Sequence, residues 1–498
     1  MKLRPPIITI IGHIDHGKTS IIDYLNKTNI IKNEKGNITQ NILAYKININ
    51  GESFVFIDTP GHNYFIEMRE KSINITDIII LVISSNEGIK KQTIESINYI
   101  KNFNIPTIIV ITKVDIGFNN INKIKNDLTK YNIIDKNIGG MYDFVYISIK
   151  NNYGIKDFLN LIIKYKNNII NKLTFNDKKL DAYIIELFNN KNGTVLYVIT
   201  KNGYIKTGDI LLFDNNYSKI KYIKNEYFIK TDKTFPSLPY YLYGFSNISN
   251  VYDNNLIYIK DIKEAKKKIL NYNKNNSIYI NDNKNNTLLN NDNLDFKKNN
   301  LIKLNYIIKC NNYGSYKAIK LFTDSLINNY KNIINTINIS IGNINKNDIM
   351  LSLYSKFKIL GFNINLNNKE LNVIKKKNIF FKNYFIIYDL LDYINNEVNN
   401  ILIQISKINY SKGLAEVVDV FLISKNNTIL GCKILDGKIK VNSLVRIKRK
   451  NVILYDKIII NSIRIYKKNV IEVLKNTECG ICIKKKININ KKDIIESN

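Results

Sequence analysis

The run Gly12-His13-Ile14-Asp15-His16-Gly17-Lys18-Thr19 constrains this chain more than any other stretch, because G-x-x-x-x-G-K-[ST] carries its meaning only at the turn between a strand and a helix. The β-branched run Ile7 to Ile11 precedes it and a helix-compatible segment opens at Ser20, so the context is present. In such a loop backbone N–H groups face inward around phosphates and the helix N-terminus adds positive potential. Lys18 then spans the terminal phosphates, and the Thr19 hydroxyl can bind Mg²⁺. A chance glycine-rich turn is the alternative, against which the flanking strand and helix argue. Further β-branched runs at Phe54 to Ile57, Ile78 to Ile83, Thr107 to Ile111 and Phe144 to Ile147 alternate with helix-length polar stretches as far as Lys172. This pattern predicts a parallel sheet with crossover helices, whose ligand crevice lies at the carboxyl ends of the strands.

The loops after those strands carry matching chemistry. Asp58-Thr59-Pro60-Gly61-His62 places a carboxylate where it can hold Mg²⁺ through water, and the Gly61 N–H where it can meet a γ-phosphate. All three histidines of the chain, His13, His16 and His62, fall in these two loops. A lone histidine is more often structural, but His62 beside a γ-phosphate loop can also orient an attacking water. In Thr112-Lys113-Val114-Asp115 the Asp115 carboxylate can accept two hydrogen bonds from N1 and the exocyclic amine of guanine, a donor pair that adenine lacks. The Lys113 stem would pack on the ring, and Ser148-Ile149-Lys150 can offer a backbone N–H to guanine O6. Alone, each of these short segments is a common surface loop.

Beyond the P-loop domain, at 1–172, short strands punctuated by Lys191-Asn192-Gly193, Lys201-Asn202-Gly203 and Thr207-Gly208-Asp209 predict a β-barrel over 177–262. A helix followed by an Asn-rich linker is expected over 263–300, and a small α/β domain over 301–383. Apolar positions recurring every three or four residues from Ile387 to Ile405 predict one long helix over 386–407. Strands with turns at Asp436-Gly437 and around Asn451 predict a second barrel over 408–498. The expected fold class is thus α/β multidomain: a P-loop GTPase domain, two β-barrels and a small α/β domain joined by a long helix.

Composition bounds the partners. A length of 498 residues with 45% hydrophobic content excludes a disordered polycation despite the net charge of +32. Only 5 cations are Arg against 69 Lys, so part of the excess reflects an A+T-rich coding sequence, while the rest predicts an anionic partner such as nucleic acid. Four cysteines make no disulfide framework, which implies a reducing compartment. No apolar run reaches the roughly 18 residues of a membrane helix. Arg446, Arg449 and Arg464 read either as planar forks for phosphate or as surface ion pairs. Cys479-x-x-Cys482, with Cys432, could suggest zinc, but no fourth ligand is present and residues three apart on a strand point to opposite faces.

In their order, these motifs resemble the translational GTPases, in which GHVDHGKT, DTPGH, NKxD and SAK follow one another. Arg4 to Thr9, Gly36-Asn37-Ile38-Thr39-Gln40 and Gln92-Thr93-Ile94-Glu95 look specifically like the bacterial translation initiation factor 2 family. The likeness continues through Lys206 to Asp209, Gly314-Ser315, Gly361-Phe362-Asn363, Ile387-Tyr388-Asp389, Gly431-Cys432 and Glu478 to Ile481, nearly the whole chain. The resemblance implies a GTPase using GTP and Mg²⁺, with Lys18, Gly61 and His62 in catalysis and Thr19, Thr39 and Asp58 around the metal. Residues 12–20, 58–62, 112–115 and 148–150 would hold the nucleotide. Ile14 and Ile38 would gate His62, unless they are simply core.

The same resemblance implies a last domain that binds formylmethionyl initiator tRNA through Gly431, Cys432, Arg446, Arg449, Arg464, Glu478, Cys479 and Gly480. The other partners implied are the small and large ribosomal subunits. A cytoplasmic monomer with no membrane partner is expected, in a reduced bacterium or an organelle. Thr112 stands where the family usually has Asn, Asn37 replaces a switch Gly and Ile149 replaces Ala. The family's long N-terminal extension is not expected of a chain that opens at the GTPase domain. Two rivals remain: an RNA scaffold that has lost hydrolysis, and the elongation factor for selenocysteyl tRNA, disfavoured for want of a winged-helix array.

Overall fold

The computed structural model describes residues 2–28, 36, 38–117, 120–177, 179–190, 193–213, 216–245, 255–259, 261–269, 304–330, 333–366, 368–409, 413–424, 427–449, 452–466, 468–483 and 489–497. Asn37, the Lys191-Asn192 turn, the Asn-rich linker from 270 and the turn at Asn451 lie outside the described residues. The chain divides into two compact units, Met1–Asp392 and Tyr393–Asn498.

The first unit begins with a six-stranded sheet. Its elements are β1 (Ile7–Gly12), α1 (Lys18–Asn26), β2 (Leu43–Ile49), β3 (Glu52–Asp58), α2 (Ile66–Asn74), β4 (Ile78–Ser84), α3 (Lys91–Phe103), β5 (Thr107–Thr112), α4 (Ile121–Thr129), β6 (Asp143–Tyr146) and α5 (Ile155–Asn168). The strand order is β2-β3-β1-β4-β5-β6, parallel except for the antiparallel β2–β3 pair. β1 and β4 are buried along their whole length, which is why they read as unbroken apolar runs rather than as alternation. Successive residues serve opposite faces: Ile8, Ile10, Ile80 and Val82 pack with Phe158 and Ile162 of α5, whereas Ile11, Ile79, Leu81 and Ile83 pack with Ile97 and Ile100 of α3. Helices on both faces leave the strand tips as the open edge. The predicted strands lie within β1 and β3 to β6, except that Ile147 falls one residue past the end of β6, and the edge strand β2 is an addition to them.

An antiparallel eight-stranded sheet follows, led by β7 (Asp181–Asn190) and β8 (Gly193–Asn202), with β9 (Tyr222–Asn225) and β10 (Pro239–Phe245) beyond β8. It curls on itself: Ser218 on one edge strand donates to Gly244 O of β10. Residues 262–269 are helical. Next comes a four-stranded parallel sheet in the order β12-β11-β13-β14, from β11 (Leu304–Cys310), β12 (Ile334–Ile341), β13 (Lys358–Phe362) and β14 (Phe381–Tyr384), with α6 (Tyr313–Asn329) after β11. Helix α7 (Ile387–Asn409) buries Ile387, Leu390, Leu391, Ile394, Val398 and Ile401, the three-and-four spacing of one stripe.

The second unit is an antiparallel sheet of nine strands. Among them are β15 (Gly413–Ser424), β16 (Asn427–Lys440), β17 (Leu444–Arg449), β18 (Ser462–Ile465) and β19 (Glu478–Ile483). The turn expected at Asp436-Gly437 is absent: β16 runs through it, with Leu414 opposite Asp436 and Ala415 opposite Ile434. The extra residue makes a bulge, and Gly437 at φ +66° takes the left-handed backbone that mimics a turn signal in the sequence. Among the described residues no helix is long and apolar enough to cross a membrane.

Candidate nucleotide site

At the tips of β1, β3 and β5 the chain encloses a cavity of about 380 Å³, lined by Asp15, Gly17, Lys18, Thr19, Ser20, Thr39, Gly61, His62 and Lys113 among others. Gly17 caps α1 at φ +92°, a conformation that L side chains rarely adopt. This cap aims the first turn of the helix, and so the Lys18 and Thr19 side chains, at the cavity.

Three hydroxyl and carboxylate groups converge there. Thr19 Oγ1 donates to Asp58 Oδ2 at 2.8 Å, Thr39 Oγ1 reaches the same oxygen at 3.2 Å, and the two hydroxyls are 2.8 Å apart. The other carboxylate oxygen, Oδ1, is buried without a hydrogen-bond partner among the described residues. Burial raises the Asp58 pKa, against the pull of nearby Lys18. Lys18 donates to His13 O at 2.6 Å, and its ammonium is pushed down to about 8, chiefly by desolvation. A buried cation and an orphaned carboxylate oxygen are costly on their own, so this pair is built for something that compensates both. A side chain at Gly61 would begin 2.7 Å from Lys18 Nζ and 3.1 Å from Ile14 N, so it would displace the ammonium from its place beside this loop.

The base-recognition loops assemble at one end. Thr112 Oγ1 donates to His16 O at 2.7 Å, so the threonine that replaces Asn still ties the P-loop to β5. Ser148 Oγ donates to Asp115 Oδ1 at 2.7 Å, and Ser85 Oγ to Lys113 O at 2.6 Å. The Ser148 amide is taken by Tyr153 O, which leaves the amides of Ile149 and Lys150 as the candidates for an O6 donor. Ile149 packs against the core beside α5, which accounts for an apolar residue there. Thr59 Oγ1 donates to Ile10 O, and Val114 N donates to Ile147 O, so these two residues act on the framework. Ile14 and Ile38 both line the cavity with His62, and neither belongs to the buried core.

The histidines separate by role. His16 is fully buried, its ring nitrogen Nδ1 3.3 Å from Val82 O, and His13 packs edge-on against it at 5.0 Å. Only the His62 ring reaches the cavity, so two of the three serve packing. Burial lowers the His16 pKa to about 3. With the folded value below the ordinary 6.5, His16 is neutral in the fold and its stabilising contribution is intact above 6.5; stability is lost as pH falls from there towards 3. Unfolding free energies from urea titrations between about pH 7 and about pH 4 are expected to fall by up to roughly 1.4 kcal/mol per pH unit, and less steeply in His16→Gln. Equal slopes would remove His16 from the account.

Residues from beyond the phosphate and base loops complete the site. Arg69, buried in α2, donates to Pro60 O at 2.9 Å and His62 O at 2.6 Å, and pairs with Glu95 at 2.6 Å. It thereby clamps the loop that carries Gly61 and His62. Gln92 Oε1 accepts from Ile14 N at 3.1 Å. Gln40, which lines the cavity, donates to Phe385 O at 2.9 Å and accepts from Ile387 N at 3.0 Å, tying the first switch to the start of α7. The rarity of Arg was the available signal for Arg69.

In the second unit the expected tRNA residues divide between two faces. Cys432 and Cys479 are cross-strand partners whose side chains lie in the core of the nine-stranded sheet, and burial pushes the Cys479 thiol up to about 11. They do not line a surface pocket, because alternate residues of a strand point to opposite sides. Gly431, Gly480 and Arg464 form a continuous row across β16, β19 and β18 on the other face, with Glu478 beside it. Arg446 pairs with Asp456, Arg449 holds Asp493 with two hydrogen bonds, and Arg464 donates to Asn469, so the ion-pair reading describes the first two as they stand. All four cysteines are free, and among the described residues no cluster of three or more His, Cys, Asp or Glu could hold a metal.

Residues 4–168 match the family described as the elongation factor Tu GTP binding domain, and residues 280–395 match translation-initiation factor 2. Translation initiation factor IF-2 of Buchnera aphidicola subsp. Schizaphis graminum is 38% identical over 99% of this chain and 56% of its own length. Its counterpart in Buchnera aphidicola subsp. Baizongia pistaciae is 36% identical over 99% of this chain and 56% of its own length. The crystal structure of GDP-bound aIF5B from Aeropyrum pernix covers 100% of this chain and 92% of its own at 18% identity, with a TM-score of 0.47. The chain spans a little over half the length of the curated relatives it matches.

Proposed function

Because this chain belongs to the translation initiation factor 2 family of translational GTPases, we propose that it binds GTP with Mg²⁺, engages initiator tRNA and ribosomal subunits, and hydrolyses the nucleotide on the ribosome. The observation that carries the reading is the convergence of Thr19, Thr39 and Asp58 on one point beside a buried Lys18. Hard oxygen donors and an unpartnered Asp58 oxygen fit Mg²⁺, which takes part of its shell from phosphate and water. When bound, the ion would neutralise charge developing on the phosphates. Thr19 and Thr39 would hold it directly and Asp58 through water. Lys18 spans the β- and γ-phosphates, and the Gly61 amide meets the γ-phosphate.

His62 orients the attacking water. Its Nδ1 accepts from Tyr64 N at 3.3 Å, so the neutral ring carries its proton on Nε2 and donates there. Burial and the nearby Arg69 lower its pKa to about 4, which keeps the ring neutral at physiological pH. In this arrangement the ring lies edge-on to Tyr388 at 4.3 Å, and Ile14 and Ile38 gate it. Thr39 and Gln40 belong to one segment, so hydrolysis and release of the γ-phosphate would free the contact of Gln40 with α7.

For the tRNA end, the row Gly431–Gly480–Arg464 supports a shallow seat for the aminoacyl terminus, with Arg464 and Glu478 at its edge and Arg446 and Arg449 as phosphate contacts. A Cβ at Gly480 would meet Ile429 Cγ2 at an ordinary 3.6 Å, so Gly480→Val should fold. Filter binding with formylated and unformylated initiator tRNA, with GTP present, tests the function. The expected results are preference for the formylated form and loss of tRNA binding in Gly480→Val with nucleotide affinity unchanged. Equal affinity for both tRNAs would overturn the initiation role, and unchanged binding by the variant would overturn the seat.

A further inference from the structure

We propose that an open cleft between the first barrel and the small parallel sheet receives the unstacked bases of a single-stranded RNA. The cleft is about 570 Å³, within the roughly 300–1,000 Å³ of small-ligand sites. Phe228, Tyr241 and Tyr243 line it from the barrel, and Asn311, Asn363 and Asn365 from the loops of the sheet. Both units of wall belong to the compact Met1–Asp392 body.

The barrel wall is a column of stacked rings. Phe228 stacks on Tyr241 at 5.0 Å and 15°, and Tyr241 on buried Tyr197 at 4.7 Å and 29°. Beside it, Tyr243 stacks on Tyr222 at 4.3 Å. Phe228 is 59% exposed and sits at φ +60°, an unfavourable backbone for a bulky residue. Its neighbours Tyr227 and Ile229 are 70% and 61% exposed. A loop that keeps three large apolar side chains in water, one of them under backbone strain, marks a surface that a partner covers.

Charge and polarity select the partner. Lys224 Nζ lies 5.6 Å from the Tyr243 ring and Lys230 Nζ 5.6 Å from the Tyr222 ring, placing cations at the rim of the aromatic wall. Glu226, beside the rings, is half-buried and lies near Lys46, whose positive charge offsets its own. On the opposite wall the Asn amides supply both donors and acceptors, and Asn311 Oδ1 is buried without a partner among the described residues. Exposed rings, adjoining lysines and amides together match a base stacked on a ring, its edge read by amides and its phosphate held by ammonium. A purely apolar peptide would leave the amides and lysines unused.

The test uses the full chain without GTP or ribosomes, so its outcome is independent of the nucleotide reading. A short single-stranded oligoribonucleotide carrying 2-aminopurine is titrated against wild type, Phe228→Ala, Phe228→Trp and Lys224→Ala. Wild type is expected to quench the 2-aminopurine by stacking. Phe228→Ala should weaken binding by roughly fivefold to a hundredfold with the salt dependence unchanged, Phe228→Trp should restore it, and Lys224→Ala should reduce the salt slope. Phe228 stands at an exposed loop tip, and a melting curve equal to wild type confirms the fold of the variants. No binding, binding without quenching, or equal affinity in a folded Phe228→Ala overturns the proposal.

Discussion

Lys18→Ala is expected to weaken GTP binding by roughly thirtyfold to several thousandfold, the range for removing one partner of a desolvated, hydrogen-bonded charge pair. Lys18 is 6% exposed, and its ammonium is held towards the cavity by His13 O. Without nucleotide, burial works against it, as its pKa of about 8 records. The alanine variant should therefore melt no lower than wild type when both are nucleotide-free. What it should lose is the rise in melting temperature on adding a non-hydrolysable GTP analogue, since ligand stabilisation scales with the logarithm of concentration over Kd. A variant that is still stabilised by the analogue would remove Lys18 from the phosphate site. If ATP stabilises wild type equally, the assignment of Asp115 to guanine fails.

His62→Ala should leave nucleotide affinity unchanged while ribosome-stimulated phosphate release drops by about 10²- to 10⁴-fold. The hydrogen bond from Tyr64 N to Nδ1 makes Nε2 a donor, so in the proposed mechanism the ring would position water without taking its proton. His62→Gln, which also offers an N–H, should accordingly retain more activity than alanine. Because the ring must be neutral and its pKa is about 4, the rate should stay level on the acid side until pH approaches that value. A glutamine variant as inactive as alanine, or a rate that falls already near pH 6.5, the ordinary histidine value, would instead indicate a proton-accepting role.

Much of this was legible along the chain because it is local. A strand, a glycine-rich turn and a helix start are set by a few adjacent residues. β1, β3, β4 and β5 could therefore be located from β-branched runs, and Lys18, Thr19 and Asp58 from the loops that follow them. β2 was missed since its alternation is that of an edge strand among polar residues, and the Asp436-Gly437 bulge was misread since a left-handed glycine serves both turn and bulge. The resemblance grouped Cys432 and Cys479 with Gly431 and Gly480, although neighbours on a strand face opposite ways and the two thiols lie in the core.

By itself, then, the sequence determined the order of strands and loops, the phosphate-binding turn and the types of residue available at the strand tips. Tertiary structure alone decided that Arg69 clamps the His62 loop, that Gln40 joins α7, and that an aromatic column lines a cleft shared by two sheets. The physical reason is that backbone propensity and periodicity act over a few residues. Pairing a buried guanidinium, satisfying an amide and stacking a ring, by contrast, depend on groups far apart in the chain, which only the packed fold brings within hydrogen-bond or van der Waals reach.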